Sequence, residues 1–580
     1  MDNKQISKIL QQIGDILEIR GDDKFRVIAY RNAALGVLNY PGDLRSIYKN
    51  TPDEIEKIPG VGKNIKKYII ELIENGDAKE FIEIRKSIPI GLLEILEVRG
   101  IGPKKVKLFY TDLGIDSVKK LKDAAESGMI ATLPGMGEKS QKEILESLEE
   151  RSKFQLDRVM INEALIEAEN FVEYMEKCPA VVKIEYAGSL RRRMETIGDI
   201  DLLATTKNNN PDDILKIMSH FVKYGDVLKI LSEGKTKSQV VLESGIQVDL
   251  RVVENNVFGA ALHYFTGSKN HNILIRDMAK KRGLKVSEYG VSKRDTDDIV
   301  ACKSEEDLFK SLGLAFIPPE LRNGEDEIEY AMKNKKFPKL IELGDIKGDL
   351  HMHSVYSDGR NTVEEMALAY QKLGFEYIAM TDHSVAMGIV GGMDKNKIRK
   401  QWKEIDLINK KLRGFKILKG SEVDILKDGS LDFEEEILKE LDIVVVSAHM
   451  HSRLDFEEQT KRMIRAIENP YSKILGHPTG RMINKRAPMD FDMIKVINAC
   501  KDNNVVIEIN SNPIRLDLID KYVRVAKDKG VKIAINTDSH DIFQPELLKY
   551  GVFVGRRGML TKNDVLNAYS LEQVLNFWKD

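Results

Sequence analysis

A chain of 580 residues with 42% hydrophobic and 31% charged side chains is too long for one ordinary core and is expected to fold as several soluble domains. Its apolar runs fall short of the ~20 residues of a membrane span, and the opening MDNKQISKILQQIGDIL carries acids at helical spacing where a secretory leader has a basic flank, so a cytoplasmic protein without a membrane partner is expected. The net charge of -2 averages over domains and hides any local basic surface, and Cys178, Cys302 and Cys500 are too few and too far apart for a disulfide framework or a paired-cysteine zinc site.

Residues 1–152 read as short amphipathic helices broken by Gly-x-Gly turns, divided into an N-terminal helical domain (1–80) and a second helical subdomain (81–152). Three segments share one shape: IPGVGKNIKKYI at 58–69, VRGIGPKKVKLF at 98–109 and LPGMGEKSQKEI at 133–144. In each, a glycine pair (Gly60 and Gly62, Gly100 and Gly102, Gly135 and Gly137) precedes a helix start with lysines such as Lys63 and Lys104. Glycine permits close backbone approach and a helix start offers free N–H groups to a phosphate. The segments resemble the helix-hairpin-helix motif, which grips DNA backbone without reading bases. Glu138 beside Lys139 makes the third the one expected to be structural.

From 153 to 256 a long helix leads into β-rich runs, predicting an antiparallel or mixed sheet with helices on one face. AGSLRRRMETIGDIDLL places Gly188 and Ser189 ahead of Asp199 and Asp201, and IQVDLRVV supplies Asp249. Residues i and i+2 of a strand share a face, so Asp199 and Asp201 can hold a pair of magnesium or manganese ions, with Asp249 joining from a neighbouring strand. This is a two-metal arrangement for phosphoryl transfer, and the motif resembles the nucleotidyltransferase superfamily. ALHYFTGSKNHNILIRDMAKKRGLKVSEYGV at 261–291 resembles the family X DNA polymerases, the group that includes polymerase beta, which implies that residues 257–320 form a thumb and nucleotide-selection region and 153–256 the palm. That resemblance implies that Ser189 and Arg192 hold an incoming triphosphate. It makes Tyr264, Phe265 and Gly267 line the sugar, Asn272 reach the base pair and Arg276 meet the template. It also implies a 5′-phosphate pocket from Arg26, Tyr30 and Arg31 in FRVIAYRNAA, assisted by Lys57 and Lys63. Two positions depart from the pattern: Lys269 stands where polymerase beta has an aspartate, and Tyr68 stands where the lyase lysine belongs, with Lys66 and Lys67 turned away on the helix, so lyase activity is not expected.

Residues 321–345 are charged, lack strand signals and read as a linker with one helix. Beyond them, at 346–580, strands such as YIAMTD, DIVVVSAH, VVIEIN and KIAINTD alternate with helices, the signature of a β/α barrel. Many of these strands end in Asp or His, at the face where barrels place their chemistry. The clusters DLHMHS, MTDHS, GSEVDI, SAHMHS, ILGHPTG and NTDSH resemble the PHP domain, a distorted β/α barrel whose mouth holds up to three metal ions. By that resemblance the ligands are His351, His353, Asp358, His383, Glu422, His449, His477, Asp538 and His540, with His451 outside the set. Mixed imidazole and carboxylate donors suit manganese, zinc or iron better than magnesium.

The implied protein is a monomeric multidomain repair polymerase that takes deoxynucleoside triphosphates and fills short gaps in gapped or nicked DNA with a 5′-phosphate. The implied PHP activities are 3′→5′ exonuclease, removal of blocked 3′ ends and cleavage at abasic sites. Two other readings stay open at this point: a PHP site that is a pyrophosphatase or phosphatase without contact with DNA, and a scaffold with inert sites.

Overall fold

The chain's tertiary contacts divide it into two compact units, Met1–Asp157 and Arg158–Asp580. The computed structural model describes the chain except residues 2, 41–43, 90, 97, 99–100, 154–157, 208–209, 297, 388–390 and 580.

The first unit is helical throughout its described residues. Ile6, Leu10, Ile13 and Leu17 recur at three- and four-residue spacing on helix Asn3–Arg20 and are fully buried with Val27, Ala33 and Val37 of Lys24–Asn39 in one core. The first Gly-x-Gly turn is pressed onto that second helix. Gly60 has φ +84°, and a Cβ there would lie 2.6 Å from the Asn32 carbonyl carbon, so glycine is required twice over.

The second unit opens with a five-stranded mixed sheet. Its strands are β1 (Lys183–Tyr186), β2 (Asp199–Thr205), β3 (Val227–Glu233), β4 (Lys237–Leu242) and β5 (Gln247–Val253), in the order β1-β2-β5-β4-β3. Ile200, Leu202 and Ala204 of β2 face the core under helices Ile161–Glu176 and Pro211–Phe221. Leu203 faces the other way, against Phe258, Ala261 and Leu262 of helix Phe258–Thr266. The expectation of helices on one face is therefore corrected: the face carrying Asp199 and Asp201 is also partly roofed. Three antiparallel strands, β6 (Leu284–Ser287), β7 (Gly290–Lys293) and β8 (Ile299–Ala301), complete the thumb.

The stretch 321–345 has one α-helix, Glu327–Lys333, but it is packed structure rather than a solvated spacer. Arg322, Ile328, Ala331 and Leu340 are buried, the apolar ones in the core that holds Ile275 and Phe309. Two of its charges are buried and paired, Arg322 with Glu305 and Glu327 with His271 at 2.7 Å, while Lys333, Lys335, Lys336 and Lys339 are exposed.

Seven parallel strands follow in sequential order: β9 (Gly348–Asp349), β10 (Tyr377–Met380), β11 (Lys416–Asp424), β12 (Ile443–Ser447), β13 (Ile474–Leu475), β14 (Val506–Asn510) and β15 (Ile533–Asn536). A bridge between Met352 and Ser539 joins the two ends, giving a nearly closed barrel. Period-2 alternation sends Ile417, Val444, Val446 and Ile507 outward to the helices and Leu418, Val445, Ile474, Val506 and Ala534 inward. The inward residues pack with Leu566 and Val574 of the C-terminal segment. Two residues beyond Val506 and Ala534, and four beyond Leu418, the inward side chains become Glu508, Asn536 and Glu422. One end of the interior is thus apolar and the other polar.

One buried arginine holds the polar end's loops. Arg462, on helix Phe456–Ile467 and 2% exposed, donates to the carbonyls of Leu426 (2.9 Å), Met450 (2.8 Å), His451 and Ile425. Arg462→Met is expected to destabilise the barrel by at least about 2 kcal/mol, since each buried carbonyl left without a donor costs roughly 1–3 kcal/mol. A thermal unfolding scan with limited proteolysis in the loops after β11 and β12 checks this; an unchanged midpoint contradicts it.

Candidate active sites

The first site grows from β2. Asp199 and Asp201 lie on one face of the strand, and Asp201 stands directly opposite Asp249 across the parallel β2–β5 pair. Burial first, then the charges of Asp199 and Asp249, push the Asp201 carboxyl up to about 7, the response of an acid crowded by like charges. Asp249 is gripped by Gln247, by Gln239 Nε2 at 2.6 Å and by Lys237 Nζ at 3.1 Å. Gly188 explains itself here: its φ is +60°, and a Cβ would sit 2.2 Å from Asp201 Oδ2.

A cleft of about 460 Å³ opens over the two aspartates. Gly188, Ser189 and Arg192 line it from one side, and Tyr264, Phe265, Gly267, Lys269, Asn272 and Arg276 from helices Phe258–Thr266 and Lys269–Lys281. Asp249 lines an adjoining pocket with Asp201 and Phe265. All eleven nucleotide and catalytic residues expected from the sequence, and Arg276, are therefore brought to one place. Asn272 Nδ2 donates to the Tyr264 carbonyl at 2.7 Å, which ties the second helix to the aromatic pair. Burial brings Arg192 down to about 10 although Asp201 opposes the shift, so it remains a cation at neutral pH. Arg158 also lines the cleft; nothing in DRVMIN marks it in the sequence.

The second site is the polar end of the barrel. Three groups of donors lie there, each with its ligand atoms within 4.8 Å of one another: His353, Asp358, His383 and His540; His351, His353, Glu422 and Asp538; and His383, Glu422 and His449. His353, His383 and Glu422 are shared between groups. His477 Nε2 lies 2.8 Å from Glu422 Oε1, so all nine expected donors converge. His451 stays outside these groups, on a loop with φ +55°.

The chemistry of the donors fits cations. His351 Nε2, His383 Nδ1 and Glu422 Oε2 are buried without a hydrogen-bond partner, an expense seldom met unless a ligand satisfies them. Burial pushes Glu422 and Asp538 up, but His449 and His351 around the first, and His351 and His353 around the second, outweigh it and hold both carboxyls well below the usual range. Burial opposes charge on His449 and His540, yet Glu422 and Asp424 beside the one and Asp358 and Asp538 beside the other raise both to about 9. Protons here stand where divalent cations would.

Two carboxylates missed in the sequence reading aim these imidazoles. Glu508 on β14 accepts from His351 Nδ1 at 2.7 Å and from the His477 backbone N–H at 2.7 Å. Asp424 lies 3.0 Å from His449 Nδ1. Each turns the other ring nitrogen, Nε2, toward Glu422. The signals were present: Asp424 is two residues beyond Glu422 on the same strand face, and Glu508 is a lone acid in the apolar run VVIEIN.

The hairpins lie in the first unit. A Cβ at Gly62, Gly102 or Gly137 would meet nothing within 4 Å, so these turns are open to a ligand. Helices Lys63–Asn75 and Pro103–Leu113 have no acid in their first turn, whereas Glu138 opens the third. Lys63 and Lys104 are exposed, as are Gly60 and Gly135; Gly100 lies outside the described residues. Arg31 is engaged by Asp15 and Glu18, each at 2.6 Å, and Tyr30 is buried edge-on against Phe81. Arg26 pairs with Glu80 at 2.5 Å, and Glu80 also accepts from the Tyr68 hydroxyl. Burial and Glu80 raise Tyr68 far above its usual range, which leaves no base at the lysine position.

Glu508→Gln is expected to weaken divalent-ion binding in the barrel about tenfold to a hundredfold, the usual effect of losing a carboxylate behind a ligating histidine. Calorimetric titration of manganese into chelator-treated protein reads it, and wild-type affinity would reduce Glu508 to a packing role.

Comparison with known proteins matches residues 1–78 to a helix-hairpin-helix domain and 92–150 to a SAM-like helix-hairpin-helix tandem. Residues 261–323 match the DNA polymerase beta thumb and 349–512 the PHP domain. The chain is 38% identical over 581 residues, the full length of both, to the DNA polymerase/3'-5' exonuclease PolX of Bacillus subtilis (strain 168). It is 34% identical over 236 residues, 38% of this chain and 89% of the other, to a probable phosphatase of Thermoanaerobacter sp. (strain X514). Over 347 residues, 55% of this chain and 56% of the other, it is 23% identical to DNA polymerase lambda of Rattus norvegicus. With the aspartate cleft, the beta-type thumb and the histidine-lined barrel in one chain, the protein belongs to the PolX family, the family X polymerases that carry a C-terminal PHP domain.

Proposed function

We propose that the protein is a DNA-directed DNA polymerase that fills short gaps during repair and trims 3′ ends with its barrel site. The observation that carries the reading is the convergence of Ser189, Arg192, Tyr264, Phe265, Gly267 and Asn272 on Asp199 and Asp201 in one cleft. Ser189 and the Arg192 guanidinium bind the triphosphate of the incoming nucleotide, and Lys269 adds charge beside it. Tyr264 and Phe265 wall the sugar, and Asn272 meets the base pair. Asp199, Asp201 and Asp249 are placed to hold magnesium or manganese. Cations bound at the two sites supply neutralisation of phosphate charge and activation of the attacking hydroxyl or water.

In the barrel His351, His353, Asp358, His383, Glu422, His449, His477, Asp538 and His540 would hold up to three manganese, zinc or iron ions, and these would supply a nucleophile and charge neutralisation for hydrolysis of a 3′ phosphodiester. The same centre serves removal of blocked 3′ ends and cleavage at abasic sites. The open turns at Gly62, Gly102 and Gly137 hold the DNA backbone, and Arg26, exposed beside Glu80, meets the 5′-phosphate of a gap, assisted by Lys57 and Lys63, while Tyr30, buried against Phe81, and Arg31, held by Asp15 and Glu18, do not reach it. The enzyme works as a cytoplasmic monomer without lyase activity. A second reading, in which the barrel hydrolyses small phosphate esters, is favoured by the 34% identity to a probable phosphatase.

Separate substitutions test the two-site reading on a one-nucleotide gapped duplex with a labelled 3′ primer and manganese. Asp249→Ala is expected to abolish extension and spare shortening, and His351→Ala to do the reverse. Loss of both activities in either folded variant contradicts it. Extension without shortening by the wild type, with phosphate released from a small ester, selects the phosphatase reading.

A further inference from the structure

The loop that follows His477 leaves the barrel mouth and takes hold of the polymerase part. Arg481 makes a two-pronged ion pair with Glu195, Nη1 to Oε2 at 3.0 Å and Nη2 to Oε1 at 2.6 Å. Its Nε donates to the Arg515 carbonyl at 2.8 Å, which fixes the guanidinium plane from the barrel side. A second barrel arginine, Arg557, lies 3.2 Å from Glu195 Oε1, donates to the Arg193 carbonyl and is anchored on Asp520 at 2.6 Å. Asn484 Nδ2 donates to the Arg158 carbonyl at 3.0 Å. The Arg158 side chain bonds Thr196 Oγ1 at 2.9 Å. Three barrel side chains thus grip residues 158, 193 and 195.

Arg158 lines the cleft, and Arg193 and Glu195 flank Met194, which lines it beside Ser189 and Arg192. Glu195 lies in the turn between Arg192 and Asp199, and Met194 N–H bonds the Ser189 carbonyl at 3.1 Å. The turn is a poor candidate to hold itself. Arg191, Arg192 and Arg193 are consecutive cations, Arg193 has φ +57°, a conformation that costs any non-glycine residue, and the regular pairing is a two-residue ladder, Thr196–Ile197 with Val159–Met160. A two-pronged charge-assisted pair fixes direction as well as distance.

We propose that Arg481, supported by Asn484 and Arg557, is a positioning residue of the polymerase reaction: the barrel domain holds the 189–199 turn and Arg158 in the shape that receives the triphosphate. This rests on Ser189 and Arg192 being the triphosphate ligands. The barrel then serves synthesis as a structural wall, independently of its own chemistry.

The test is single-nucleotide gap filling by the full chain, with KM for the nucleotide and kcat measured separately and folding followed by melting midpoint. Arg481→Gln is expected to raise KM about five- to tenfold with a much smaller fall in kcat, as loss of binding geometry does. Arg481→Lys, which keeps the charge but not the fork, falls between, and Asn484→Ala raises KM about twofold to threefold with an unchanged melting midpoint. Arg192→Gln is the control and raises KM at least as far as Arg481→Gln. If it does so while folded Arg481→Gln and Asn484→Ala keep the wild-type KM, the positioning role is overturned and the cleft reading stands. If Arg192→Gln leaves KM unchanged, the cleft reading fails and the proposal with it. Should Arg481→Gln not fold, Asn484→Ala decides alone.

Discussion

Ionisable side chains withdrawn from water at short separations are the constraint on which the second unit depends. Asp201 beside Asp199 and Asp249 is driven toward its neutral form, and Glu422 keeps its charge only by drawing on the five imidazoles around it. Each cluster therefore needs a scaffold that forces its members together and a cation that makes the crowding favourable. The sheet and the barrel meet this demand in different ways. In the sheet, hydrogen-bonded register sets Asp201 against Asp249, and Gly188 gives way so that the carboxylate fits. In the barrel, inward rows on β11, β14 and β15 turn from apolar to polar toward one end, so donors far apart in sequence meet in one mouth.

Fixing the donors is a second layer of the same problem. A histidine ring can flip or present either nitrogen, and the barrel removes that freedom with buried carboxylates: Glu508 behind His351 and Asp424 behind His449. Aspartate 349 plays a comparable part for the β15 end, bonding Tyr370 at 3.0 Å and Thr537 beside the Asp538 ligand. In the cleft the equivalent tie is Asn272 to Tyr264, and Gln239 and Lys237 to Asp249. Rigid elements thus carry the site residues, and buried hydrogen bonds orient them.

Much of this was legible in the sequence because the signals are periodic and local. Asp199 and Asp201 declare a shared strand face by their spacing, and six strand-end clusters of His and Asp declare a common mouth once the β/α alternation is recognised. The three Gly-x-Gly turns show themselves by repetition. What was not legible depends on partners distant along the chain. Arg322 and Glu327 looked solvated because Glu305 and His271, which pair with them, belong to other elements. Helix Phe258–Thr266 packs on the aspartate face through Leu203, a residue that reads equally well as core on either side. Glu195 and Arg481 are 286 residues apart, and neither carries any local mark of the other.

The account's central claim is that the two clusters are cation sites built for phosphate chemistry on one chain. Anomalous diffraction from crystals grown with manganese and a gapped duplex addresses it directly. Peaks are expected between Asp199 and Asp201 and among the nine barrel donors, about 2.0–2.2 Å from imidazole nitrogens and carboxylate oxygens. A barrel mouth without an anomalous peak, its histidines still paired to Glu422 and Asp538, would contradict the claim.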